Sequence, residues 1–226
     1  MRRSSERRRA ERTSTYAAPV KTKALPFRSG LAWTMVAAFS LLGMCFWGVS
    51  SWLTGALIER GWSEGSAASA TALLNVAAVV GNAAVFLLAR QLSSRRFHMM
   101  LASGFIWIGV TMLAVMPTFA FAWATLVGIG NGLLFPALLT LPLDVADDSQ
   151  SVAAATAMML AFGYGLSGLS PFILGAARDL TGAFDVALWI AMAFATALVL
   201  VVASLSGTRL AKGIPGSRVE QMPPIQ

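Results

Sequence analysis

The chain has 226 residues, of which 57% are hydrophobic and only 12% charged, where a soluble domain carries about 25% charge. Mean hydropathy is +0.69, and the charges gather at the termini and in short gaps between long apolar runs. Runs of about 20 residues cross a hydrocarbon layer ~30 Å thick as helices. These facts exclude a soluble enzyme domain and predict an all-α membrane protein, since barrel strands alternate over about ten residues and these runs do not.

The first segment, 1–30, opens MRRSSERRRAERTSTYAAPVKTKALPF, which is basic, polar and broken by proline. It reads as a disordered, solvated cytoplasmic linker that fixes topology, with electrostatic contact to anionic membrane lipid as the alternative. Its Arg and Ser richness with few acids also matches an organellar transit peptide.

Six spans follow within 31–206, at 31–58, 67–89, 97–116, 119–143, 150–177 and 184–206. The third and fourth meet at a tight turn on Pro117 and Thr118. A cytoplasmic tail over 207–226 closes the chain. Fifteen Lys and Arg fall before the first span, between the second and third, and after the sixth. Only Arg60 and Arg178 fall on the opposite side. This bias predicts a multi-pass protein of the plasma (inner) membrane with both termini cytoplasmic. The same bias accounts for the pI near 10.8, so no nucleic-acid partner is expected.

Cys45 is the single cysteine and lies inside the first span, and the single histidine, His98, starts the third. No nucleotide loop, Ser–His–Asp set or HExxH motif occurs. No cofactor, metal site or enzymatic role is therefore expected.

The second and fifth spans rhyme. SEGSAASATALLNVAAVV follows the first span, and SQSVAAATAMMLAFGYG follows the fourth. FLLARQLSSRRF, from Phe86, and FILGAARDLTGAF, from Phe172, then repeat the pattern at an offset of about 88 residues. That offset is three spans, an odd number, so the second unit is inverted in the membrane. An inverted 3+3 repeat is a device of secondary transporters.

Three stretches carry a family resemblance: FWGVSSWLTGALIERGWS, GIGNGLLFPALLTL and GYGLSGLSPFILGAARDLTGAF. The chain resembles the C-terminal six-helix half of a major facilitator superfamily transporter, in the branch of cyanate and 2-nitroimidazole transporters. The resemblance covers about 31–206. That branch carries amides near Leu42, Asn131 and Leu160, and here only Asn131 keeps one. The resemblance implies that the first and fourth spans line a solute cavity, that a small organic or inorganic solute, possibly an anion, crosses by alternating access, and that a second six-span half or a homodimer partner completes the path. The competing expectation is a truncated, non-transporting protein whose helices act as packing partners.

The candidate site follows from the same stretches. Gly128 and Gly132 form a GxxxG face for close helix approach, and Pro136 removes a backbone hydrogen bond near Asn131. Asn131 and Phe135 lie one turn apart. With Trp47, Ser51 and Tyr164 they make the expected substrate-binding set, although Asn131 also suits a bond to a neighbouring helix. Asn75 and Asn82, seven apart on one face, are expected to join the second span to a neighbour. Arg90, Arg178 and Asp179 are expected at the rims, in gating contacts. No Asp, Glu, Lys or Arg sits deep in a span. Intramembrane charges mark proton relays, so the module reads as a facilitator, or as one whose coupling residue lies elsewhere.

Overall fold

The computed structural model describes residues 24–88 and 95–205. The rim candidate Arg90, residues 1–23 of the N-terminal segment and the C-terminal tail lie outside them. The helices are α1 (Gly30–Glu59), α2 (Glu64–Leu88), α3 (Arg95–Val115), α4 (Ala120–Leu139), α5 (Leu141–Val145), α6 (Ser149–Ser167), α7 (Ser170–Thr181) and α8 (Phe184–Ser204). They build six spans long and apolar enough to cross a membrane. Two of the six differ from the expected continuous helices. The fourth span is α4 followed by the short α5, and the fifth is α6 followed by α7.

The ends follow local chemistry. Ser29 caps α1, its Oγ accepting from the Ala32 amide at 3.2 Å. Asp148 caps α6 by accepting from the Gln150 and Ser151 amides. A 3-10 turn over Pro117–Phe119 reverses the chain between α3 and α4. Gly182, at φ 76°, ends α7 in the left-handed conformation that glycine reaches without steric cost.

Packing follows a symmetric rule. α2 and α3 both pack on α4, α6 and α8 both pack on α1, and α3 packs on α8. Exchanging the first three spans for the last three leaves this set of contacts unchanged. The chain thus forms two related triple-helix units, the arrangement of half a major facilitator fold.

Close approach depends on small residues, because lipid supplies no hydrophobic force between helices. Gly128 faces the Leu74 carbonyl and Gly132 faces the Ala78 carbonyl so closely that a Cβ on either would overlap the α2 backbone. On the opposite side of α4, Gly130 meets the Ala102 carbonyl of α3. In the second unit, Gly43 and Gly48 of α1 sit against the side chains of Ser167 and Ser170. The Ser170 hydroxyl donates to the Met44 carbonyl at 2.7 Å. The break between α6 and α7 is bridged further by Trp52, whose indole N–H donates to the Pro171 carbonyl at 2.8 Å.

Charges sit at the two ends of the bundle. At one end, Arg60 donates to the Leu113 and Ala114 carbonyls of α3 and to Asp185 of α8, at 2.8, 3.1 and 2.6 Å. Beside it the Phe184 amide donates to Glu59 Oε2 at 3.0 Å. At the other end Arg95 pairs with Asp144 and donates to the Ala137 carbonyl and the Thr140 hydroxyl.

Candidate functional site

A groove of about 360 Å³ runs along one face of the bundle, between α1, α2, α4 and α6. α1 contributes Phe39, Phe46 and Trp47, and α2 contributes Asn75, Val79 and Asn82. Asn131 and Phe135 enter from α4, and Tyr164 from α6. The Gly128–Gly132 approach brings α4 against α2, which places Asn131 beside the two asparagines of α2.

The aromatic lining falls into two clusters. The Phe39 ring, itself buried, lies 5.7 Å from Phe135 and 5.2 Å edge-on from Tyr164. Phe46 and Trp47 meet edge-to-face at 5.5 Å. Such geometries suit aromatic quadrupoles. Trp47 and Tyr164 are each 49% exposed, so both offer open surface to the groove.

The polar groups divide in two. Asn75 is engaged: its Nδ2 donates to the Thr71 carbonyl at 2.8 Å and to Ser50 Oγ of α1 at 3.3 Å. The side chains of Asn82 and Asn131, the Tyr164 hydroxyl and the Trp47 indole N–H form no hydrogen bond with any described residue. Elsewhere in the bundle the indoles of Trp33, Trp52, Trp107 and Trp123 all donate to protein oxygens. The other two unbonded indoles, Trp62 and Trp189, belong to the Arg60 end of the bundle. At membrane depth an unmet polar group costs several kcal/mol. Four such groups, without a partner among the described residues, are gathered in this one groove.

Of the expected substrate set, Trp47, Asn131, Phe135 and Tyr164 share this groove. Ser51 does not line it and is exposed elsewhere on α1. Asn75 joins α2 to α1 and also lines the groove; Asn82 lines it without joining anything described. Arg178 and Asp179 approach at 3.4 Å on the exposed surface at the Arg60 end, with the Arg178 guanidinium 5.5 Å from the Phe184 ring. Phe46, beside Trp47, belongs to the aromatic face that the sequence gives the first span, whereas Phe39 was missing from the sequence reading. Their spacing with Gly43 and Trp47, at i, i+4, i+7 and i+8, is one helix face and held the signal.

Comparison with known proteins fits this geometry. The Major Facilitator Superfamily profile matches residues 2–169. The chain is 27% identical to the 2-nitroimidazole transporter of Escherichia coli K12, over 72% of this chain and 41% of that protein. It is 29% identical to the cyanate transport protein of the same organism, over 72% of this chain and 43% of that protein. The chain thus spans less than half the length of these curated relatives, and both are named for a solute carried rather than a reaction catalysed.

Proposed function

The chain belongs to the major facilitator superfamily, and we propose that its six spans are one half of a transporter for a small solute, working by alternating access. The groove forms one wall of the solute path. Trp47, Asn131, Phe135 and Tyr164 contact the solute there, Asn82 adds a fifth polar or aromatic contact, and Gly128 and Gly132 hold α4 in place. A second six-span bundle supplies the opposite wall. Rocking of the two bundles then exposes the site to each side in turn. The Arg60 and Arg95 clusters join helices at the two rims and hold this bundle together as it rocks. The excess of Lys and Arg on one side supports a plasma-membrane protein with both termini in the cytoplasm.

The observation that carries this reading is the set of four polar groups that bond to no described residue, gathered in one groove that no described charged residue lines. Its test is uptake into liposomes holding the purified chain, alone and with a second six-span bundle of the superfamily. The solutes are 2-nitroimidazole and cyanate, the cargoes that name the relatives. Uptake above empty liposomes, reduced by Asn131→Leu, is the expected result. Uptake equal to empty liposomes in both preparations, with no solute binding that depends on Asn131, overturns the reading and favours a helix-packing partner that does not transport.

A further inference from the structure

We infer that the groove selects an uncharged, flat, one- or two-ring solute carrying both hydrogen-bond donors and acceptors, and discriminates against anions. This rests on the reading of the groove as a solute site and narrows it.

The first argument is electrostatic. A desolvated anion loses its hydration and is held most strongly by a cation beside it. Among the described residues, no Lys, Arg or His lines the groove. The described arginines that enter ion pairs, Arg60, Arg95 and Arg178, are already engaged with Asp185, Asp144 and Asp179 at the ends of the bundle. Helix dipoles do not substitute, because they act within the first turn. Trp47 and Asn131 lie well inside their helices, and Tyr164 lies in the last turn of α6, the negative end of that helix dipole. No carboxylate lines the groove either, so a cation is no better served.

The second argument is the pattern of free groups. The Asn82 and Asn131 amides each donate and accept, the Tyr164 hydroxyl does both, and the Trp47 indole only donates. A carboxamide or an azole on an aromatic ring matches that set. Tyr164 and Phe135, backed by the buried Phe39, and Trp47 offer rings against which a flat solute stacks. About 360 Å³ holds one or two such rings.

The test uses two pairs of probes that share a ring and differ in charge: nicotinamide against nicotinate, and benzamide against benzoate. Binding of each radiolabelled probe to the full chain in lipid nanodiscs is measured at neutral pH. The expected result is binding of the amides at least about tenfold tighter than the carboxylates. Asn131→Leu and, separately, Asn82→Leu weaken amide binding about tenfold while thermal unfolding stays unchanged. Equal or tighter binding of the carboxylates overturns the inference and leaves the transport reading standing. Amide binding indifferent to both asparagine substitutions overturns it too. Failure of all four probes, together with failure of cyanate and 2-nitroimidazole, sinks this inference and the transport reading alike.

Discussion

Gly132 lies against the Ala78 carbonyl, with no room for a Cβ between α4 and α2. Gly132→Ala is therefore expected to push the helices apart and destabilise the bundle by about 1–3 kcal/mol, the usual cost of overpacking. Gly104, on α3, has nothing within 4 Å of its missing Cβ. Gly104→Ala should be neutral or gain about 0.5–1 kcal/mol from helix propensity. Thermal unfolding of both variants in detergent checks the pair.

Asn131 is the neighbour of Gly132 and should behave oppositely. Its side chain bonds to no described residue, so Asn131→Leu removes no interaction within the bundle. Its unfolding midpoint should match that of the unsubstituted chain, while solute binding falls. A large loss of stability would place Asn131 in packing.

Arg60 ties α1 to α3 and α8, and its side chain is only 20% exposed. Arg60→Ala should cost about 1–3 kcal/mol, because the Leu113 and Ala114 carbonyls lose their donor. Asp185 is 65% exposed, and Asp185→Asn should cost no more than about 1 kcal/mol. Unfolding midpoints ranked in the reverse order would show that the exposed ion pair, not the carbonyl contacts, fastens this end.

Cys45 is 1% exposed in the centre of α1. It should resist a maleimide in the folded protein and react on unfolding, a change followed by mass spectrometry. Rapid labelling of the native chain would mean that α1 is open to solvent along the face that packs on α6 and α8.

Much of the fold is legible in the sequence, because span length, apolar composition and the small-residue repeat act locally. The same is true of Gly128, Gly132 and the turn at Pro117. The breaks within the fourth and fifth spans are not legible in this way. Thr140 and Gly168 lie in apolar surroundings, and the interruptions become tolerable only when α1 supplies Met44 and Trp52 as partners for the fifth. The site was partly visible. Trp47, Asn131, Phe135 and Tyr164 stand out as polar or aromatic residues among glycines. The separation of Ser51 from them depends on the rotation of α1, which its nearly uniform hydrophobicity does not fix. The Arg60–Asp185 and Arg95–Asp144 pairs join residues 125 and 49 positions apart and leave no local trace.

The central claim is that the groove is a wall of an aqueous solute path rather than a surface covered by lipid. Single cysteines are placed at Asn131, in the groove, and at Ala193, exposed on α8, in a Cys45→Ser background. Labelling by a charged, membrane-impermeant thiol reagent is measured in native membranes, with and without solute. The account predicts labelling at position 131, slowed by solute, and none at position 193. Equal failure to label at both positions would contradict it, because the groove would then hold lipid or a packed helix where the solute should pass.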